Sequence, residues 1–254
     1  MNQLKVRNIV IGEGKPAVCV PVVGRTEEEI EKGFREAVSS GADLVEWRAD
    51  WFDGCLDEER LTRVLACLRA GLADMPLLVT FRTMDEGGEK DITLEDYDIF
   101  IERVIDSGTA DLVDVELFRG EERLGRLCGA AHEKGVCVVA SSHDFKATPP
   151  VGEMIGRLCR MQELGADLLK IAVMPRDASD VLKLLEATYT MKRDHAKRPL
   201  ITMAMGKTGV ISRLCGEVFG SSLTFGSAGT ASAPGQVEVQ KLREALDIIH
   251  GNPG

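Results

Sequence analysis

The stretch LVEWRAD at positions 44–50 sets Leu44, Glu46 and Arg48 two residues apart, with Val45 and Trp47 between them. Side chains on a strand alternate between its faces, so a strand here has one apolar face and one carrying a carboxylate and a guanidinium. The same division recurs along the chain. In LLVTFR (77–82), Leu78, Thr80 and Arg82 oppose Leu77, Val79 and Phe81. Asp114 and Glu116 oppose Val113, Val115 and Leu117, and Leu168, Lys170 and Ala172 oppose Leu169, Ile171 and Val173. An apolar face suits packing under helices. A charged opposite face suits the inside of a closed barrel, with charges near the C-terminal strand ends where barrel enzymes keep their sites. Structural ion pairing inside the barrel is the plainer alternative, but charges seldom enter a core without a function.

Working outward, short apolar runs alternate with amphipathic stretches. Strands are predicted over 18–23, 44–49, 77–82, 112–117, 136–142, 168–173, 199–204 and 222–227, each followed by a helix. That order predicts an α/β chain folded as a (β/α)8 TIM barrel, a single catalytic domain over residues 1–254. Thr26 with Glu29 has capping-box spacing at the first helix. Two short strands around Gly12–Gly14 read as a hairpin closing the bottom of the barrel. No linker, low-complexity tract or long charge run suggests a second domain.

The chain has 254 residues, 44% hydrophobic and 28% charged, with a formal net charge of −10. That balance argues against nucleic acid, and it requires any anionic substrate to be held by local arginines. The seven cysteines (19, 55, 67, 128, 137, 159 and 215) form no CxxC pair and sit mostly in apolar stretches, as reduced thiols do. With no membrane-length apolar run and no signal-peptide pattern, the expected location is cytoplasmic, away from membranes.

Two motifs are lookalikes. GEGKPA (12–17) imitates a dinucleotide fingerprint but precedes a strand and contains Pro16. Gly206-Lys207-Thr208 imitates the end of a phosphate loop, but Ile201 stands where its earlier glycine belongs. The four histidines lack metal-ligand spacing. A Mg²⁺ site on Glu46, Asp114 and Glu116 is conceivable, yet Arg48 and Arg82 beside them favour a small polar anion. No metal and no organic cofactor are expected.

Lys170 is the sharpest chemical signal. An inward, mid-strand ammonium between apolar neighbours is poorly solvated, and desolvation with nearby cations lowers an amine's pKa from about 10.4. The neutral amine attacks a carbonyl and forms an imine. The competing use of such a lysine is an ion pair with an inward carboxylate such as Glu116. His143, in SSHDF (141–145) just after the fifth strand and in register with Cys137, Val139 and Ser141, suits proton transfer. Glu86, on the turn before Gly87-Gly88, is placed to orient that imidazole.

Taken together, GEGKP, EWRAD, LLVTFR with EGGE, VELF, SSHDF, RMQELGAD with LLKIAVMP, GVISRLCGEVFGS (209–221) and SAPGQ (232–236) resemble type I 3-dehydroquinate dehydratase. The resemblance runs in order from about residue 5 to residue 249. It implies a hydro-lyase of the shikimate pathway, in chorismate and aromatic amino-acid biosynthesis. Such an enzyme converts 3-dehydroquinate to 3-dehydroshikimate and water through a lysine Schiff base, as a homodimer. By matching motif, it implies Lys170 as nucleophile, His143 as proton-transfer residue and Glu86 as its acidic partner. Arg213, Ser232 and Gln236 would hold the substrate carboxylate and neighbouring oxygens. Glu46, Arg48 and Arg82 would grip ring hydroxyls, and Met203 and Phe225 would be apolar walls.

Leu169 and Pro21 depart from residues common in the family. Proline offers no hydroxyl, so position 21 is assigned no ligand contact. The small-residue stretch Gly226 to Gly235 is expected to close over substrate. The alternatives are another Schiff-base lyase or aldolase on the same barrel, and a non-catalytic sugar-acid binder. The ordered set His143, Lys170, Arg213 and SAPGQ separates the dehydratase from both.

Overall fold

The computed structural model describes residues 3–229 and 232–251. Eight parallel strands run β3 (Ala17–Val22), β4 (Leu44–Arg48), β5 (Leu77–Thr80), β6 (Leu112–Glu116), β7 (Cys137–Asp144), β8 (Leu168–Val173), β9 (Leu200–Ala204) and β10 (Leu223–Ser227). They are hydrogen-bonded in the order β10-β3-β4-β5-β6-β7-β8-β9. The ring closes where Leu200 bridges Ser221 and the Ser222 amide donates to the Leu200 carbonyl at 2.7 Å. This is the (β/α)8 barrel expected from strand alternation.

The helices between strands are α1 (Glu27–Ser39), α2 (Glu58–Leu72), α3 (Leu94–Asp106), α4 (Glu121–Glu133), α5 (Val151–Glu163), α6 (Ala178–Thr190), α7 (Gly206–Leu214) and the short α8 (Gly216–Phe219). After β10, a two-residue strand β11 (Val237–Glu238) extends its edge and leads into α9 (Val239–His250). Thr26 caps α1 by accepting from the Glu29 amide at 3.3 Å. Glu29 reaches back one residue further than a capping box requires, to the Arg25 amide at 2.7 Å.

Two apolar clusters follow from alternation. The outward face, with Val45, Trp47, Val79, Phe81, Leu169 and Ile171, packs against Ile30, Phe34, Leu65, Phe100 and Leu184 of the helices. The inward face holds Cys19, Leu44, Leu78, Leu112, Val139, Leu168, Ile201 and Leu223, joined from below by Val6 and Ile11. Those two residues belong to an antiparallel hairpin, β1 (Leu4–Val6) with β2 (Ile9–Ile11). Its turn is at Arg7-Asn8, with Arg7 at φ +48°, and not around Gly12–Gly14 as expected. Arg7 Nε reaches Asp111 at 2.5 Å, the residue before β6, which fixes the plug to the barrel floor. Dry packing at the bottom leaves polar groups one direction to face, toward the C-terminal strand ends.

Two boundaries shift the reading of the site. β7 continues through Asp144, so His143 is part of the strand and not just beyond it, paired with Ala172. Gly226 and Ser227 belong to β10, so the stretch expected to move begins later; its residues 230 and 231 lie outside the described residues.

Helix α7 abuts the end of β9. A Cβ at Gly209 would sit 2.3 Å from the carbonyl carbon and oxygen of Ala204, closer than backbone tolerates. Gly209→Ala is therefore expected to destabilise the fold by about 1–3 kcal/mol, as overpacking does. Urea unfolding followed by far-UV circular dichroism measures this, and an unchanged midpoint would show that α7 shifts freely.

Candidate active site

Arg82 sits at the centre of the polar half of the barrel. Its Nη2 donates to Asp114 Oδ2 at 2.8 Å, and its Nη1 to Glu116 Oε1 at 2.8 Å and Ser141 Oγ at 2.9 Å. Burial works against its charge, but Asp114, Glu116 and Glu86 outweigh burial and hold the guanidinium protonated well beyond its usual range. Ser141 passes the connection on by donating to Asp114 Oδ1 at 2.6 Å. Burial penalises the Asp114 carboxylate, yet Arg82 and Lys170 hold it below the usual carboxylate range.

Lys170 projects from the middle of β8 and is 4% exposed. Its Nζ is 3.4 Å from Asp114 Oδ2 and 3.7 Å from Glu46 Oε1. Glu116, named above as a possible partner, is committed elsewhere. Its two oxygens take the Thr83 amide at 2.9 Å and the Thr83 hydroxyl at 2.7 Å as well as Arg82. Glu116 lies nearer the strand end than Asp114, so it meets the β5 loop and not the lysine. Glu46 Oε1 also accepts from Thr80 Oγ1 at 2.8 Å. The three carboxylates considered for Mg²⁺ thus spend their oxygens on Arg82, Lys170, Ser141, Thr80 and Thr83.

On β7, two strand positions beyond Ser141, His143 points into the same space. Glu86 Oε2 receives the His143 amide at 3.0 Å, lies 2.8 Å from His143 Nδ1 and is 3.5 Å from Arg82 Nη1. Three donors converging on one oxygen assign the ring proton to Nδ1 and leave the Nε2 lone pair free. Burial first, then the charges of Arg82, Lys170 and Arg48, push the imidazole's pKa well below 6.5. Burial, reinforced by Glu116, raises the Glu86 carboxyl above its usual value. Both directions disfavour a fully charged imidazolium–carboxylate pair.

Arg48 is clamped by Asp50 in a bidentate pair, Nε to Oδ1 and Nη2 to Oδ2, both 2.8 Å. Asp50 also accepts the amides of Arg82 at 3.2 Å and Glu89 at 3.1 Å, so it ties the ends of β4 and β5 together. Arg213, on α7, has no such partner among the described residues. It is 2% exposed, its Nε lacks any hydrogen bond among them, and its Nη atoms approach Met203 Sδ and the Pro234 carbonyl, each at 3.4 Å. Burial alone lowers its pKa to about 10. Ser232 and Gln236 are locked together, the Ser232 amide donating to Gln236 Oε1 at 2.9 Å and Gln236 Nε2 to Ser232 Oγ at 3.0 Å.

One pocket brings all these groups together: Lys170, His143, Glu86, Glu46, Arg48, Arg82, Arg213, Ser232, Gln236, Met203 and Phe225 all line it. Gly87, Phe145, Ala172, Met205 and Ala233 complete the wall. Pro21 is not among the residues lining this pocket. A Cβ at Gly87 would lie 2.3 Å from the Phe145 ring, and its φ is +83°, so the turn carrying Glu86 needs glycine there. Sequence reasoning missed Asp50, Thr80 and Ser141 as supports of Arg48, Glu46 and Arg82. Asp50 and Thr80 share an inward face with the residues they serve, which was the available signal.

The model of the type I 3-dehydroquinase family matches residues 18–253. The chain belongs to the type I 3-dehydroquinase family. The 3-dehydroquinate dehydratase of Clostridioides difficile strain 630 is 48% identical over 248 residues, 98% of this chain and 97% of that protein. The 3-dehydroquinate dehydratase of Bacillus subtilis strain 168 is 47% identical over 252 residues, 99% of each. A solved type I 3-dehydroquinate dehydratase from Clostridium difficile, with covalently modified comenic acid, superposes with a TM-score of 0.96 at 47% identity, all of both chains being covered. Membership of the type I 3-dehydroquinase family makes this chain an enzyme, a hydro-lyase. A 3-keto-L-gulonate-6-phosphate decarboxylase from Vibrio cholerae covers 92% of this chain and 99% of its own at 14% identity and a TM-score of 0.59, and shows only that the barrel is shared. Among the described residues no helix is long and apolar enough to cross a membrane.

The depressed basicity of His143 has a direct readout. A ¹⁵N-edited NMR titration of the four imidazoles, assigned with His143→Gln, is expected to show His143 protonating below pH 6.5. The ring stays neutral above that lowered pKa and gains its charge only as pH falls through it. A midpoint at or above 6.5 would mean that Glu86 dominates the ring's environment over burial and the three cations.

Proposed function

We propose that this type I 3-dehydroquinase acts on 3-dehydroquinate, giving 3-dehydroshikimate and water through an imine on Lys170. The observation that carries the reading is one pocket holding both the Lys170 amine and the unpaired, buried Arg213 guanidinium. One group attacks a ketone and the other anchors a carboxylate. The Clostridium difficile relative was solved with covalently modified comenic acid, which supports covalent chemistry in the family.

In this scheme the neutral Lys170 amine attacks the ketone carbon. The new C–N bond forms as the carbonyl electron pair moves to oxygen, which takes up protons and leaves as water. The product is an iminium with its positive charge on the lysine nitrogen, an electron sink. His143 Nε2 then takes a proton from the carbon beside the iminium carbon, and the released pair forms an enamine. As the pair swings back, the β C–O bond breaks and the hydroxyl departs with the proton from His143 as water. A water molecule returns to the iminium carbon, freeing the enone and Lys170. Net change is loss of one water. Glu86 keeps the imidazole in the required tautomer.

Arg213 pairs with the ring carboxylate as a two-pronged donor, and the Ser232–Gln236 pair supplies donors beside it. Glu46 and Arg48 face the ring hydroxyls. Arg82 lines the same wall, with both its Nη atoms already engaged by carboxylates, so its part in gripping a hydroxyl falls to its remaining N–H groups. The homodimer and the cytoplasmic setting rest on the family resemblance. Light scattering at twice the mass of one chain would support the dimer, and a single-chain mass would remove it.

Incubation with 3-dehydroquinate and borohydride, followed by peptide mapping, is expected to leave a reduced adduct on Lys170 and abolish activity. Lys170→Met should form no adduct and turn over no substrate. Binding without an adduct in the native protein would reduce Lys170 to an electrostatic role. Arg213→Met is expected to lower kcat/KM by about 10–100-fold, mainly through KM, as loss of a charged hydrogen-bonding anchor does. Unaltered KM in steady-state assays would place the carboxylate elsewhere.

A further inference from the structure

We propose that the aromatic face of Phe225 carries the positive charge of Lys170 through the reaction, first on the ammonium and then on the iminium. The proposal rests on the imine reading above. Phe225 is more than an apolar wall: its ring lies beneath Lys170 Nζ, with the nitrogen 4.6 Å from the centroid. A cation over an aromatic face at that range is attracted by the ring quadrupole, most strongly where water is excluded. Both partners are 4% exposed. The ring is held in place because β10 pairs with β3 through Phe225 and Cys19, and because Phe225 belongs to the inner apolar cluster with Ile201 and Met203.

The other groups near the nitrogen are less free than their charges suggest. Asp114 Oδ2, 3.4 Å from Nζ, accepts a closer bond from Arg82 at 2.8 Å. Glu46 Oε1, 3.7 Å away, accepts a closer bond from Thr80 at 2.8 Å. Each carboxylate is held back by its own donor, so the amine has no short hydrogen bond to break when it condenses. A tight carboxylate contact would depend on N–H groups that the nitrogen gives up when it condenses. The ring face behaves differently. It accepts no proton, it needs no defined N–H direction, and it attracts a cation whether the nitrogen bears three hydrogens or one.

When the iminium forms, its nitrogen keeps one N–H and loses most of its hydrogen-bonding capacity. Its charge then spreads over nitrogen and carbon, a shape suited to a flat π surface. Stabilising that cation favours the iminium over the neutral carbinolamine that precedes it, so more of the bound substrate stands ready to lose its α-proton. Phe225 is therefore a catalytic residue in the sense that it touches the reacting nitrogen.

The test is a fluorination series. Phenylalanine carrying one, two and three ring fluorines is placed at position 225 alone by codon suppression in the full chain. Fluorines drain the face of negative potential and leave ring size nearly unchanged, so folding is preserved and a packing role is unaffected. The expected result is a stepwise fall in kcat, reaching about tenfold with three fluorines, at nearly constant KM, with slower borohydride trapping of the Lys170 adduct. Phe225→Leu, which keeps apolar volume and lacks the face, should fall by about as much. A flat series with the Lys170 adduct still forming at the native rate would overturn the role of Phe225 and leave the imine reading intact. Failure of the native protein to form any adduct would overturn the imine reading and this proposal with it.

Discussion

The fixed point of this molecule is the Arg82 guanidinium inside the barrel. Asp114 and Glu116 are 0% and 1% exposed, and without Arg82 they would fall back on the longer contacts to Lys170 at 3.4 Å and Arg119 at 3.6 Å. Removing one member of a buried pair costs about 3–5 kcal/mol, because the remaining charge loses its close partner without gaining water. The chemistry inherits its geometry from that constraint. Asp114 is held back from Lys170 by Arg82, Ser141 is held in register between the two, and Glu86 meets the outer side of the same guanidinium. The site is thus an electrostatic framework first and a catalytic constellation second.

Within that framework one charge is left without a partner. Arg48 has Asp50, Arg82 has its carboxylates, and Lys170 has two at longer range. Arg213 has a sulfur, a carbonyl and an unbonded Nε. Burying a lone guanidinium opposes folding, and its lowered pKa of about 10 reports that penalty. On the proposed reading, the substrate carboxylate relieves the penalty on arrival, so part of the binding energy comes from a fault the free protein maintains. Binding to the folded state alone also stabilises it by mass action. The net charge of −10 makes this local arrangement necessary, since the protein's wider field repels an anion.

Much of this was legible in the residues because a barrel separates its two faces so sharply. Alternation in 44–50, 77–82, 112–117 and 168–173 announced both the helix-facing surface and the polar interior, and Glu46, Arg48, Arg82, Lys170 and Ala172 from three of those runs meet in one pocket. What stayed hidden depends on neighbours in space. Choosing Asp114 over Glu116 as the partner of Lys170 requires seeing Thr83 and Arg82 take both Glu116 oxygens, since the register by itself sets Glu116 beside Ser141 and Ser141 beside Lys170. Thr80, Ser141 and Asp50 have side chains too ordinary to signal a role until the charge each one serves is located. The hairpin turn fell at Arg7-Asn8, where a non-glycine residue accepts positive φ, and the glycines at 12 and 14 drew the reading too far along.

The pocket's two halves answer different demands of an elimination. One half, from β4 to β7, is crowded with carboxylates and guanidiniums that are mutually satisfied and therefore slow to reorganise. Such preorganised dipoles recognise hydroxyls and hold the imidazole ready without moving during the reaction. The other half, from β8 to β10, presents Ala172, Met203, Met205 and Phe225 around the amine. A uniformly polar cavity would keep water around the amine. A uniformly apolar one would reject the polyol and strand the proposed iminium charge. On the imine reading, Lys170 at the seam has carboxylates at arm's length on one side and an aromatic face on the other, so the iminium nitrogen meets opposite charge and a π surface together. The barrel makes that seam available because consecutive strands supply consecutive sectors of a single interior, and a change of residue character between β7 and β8 becomes a change of solvent across a few ångströms.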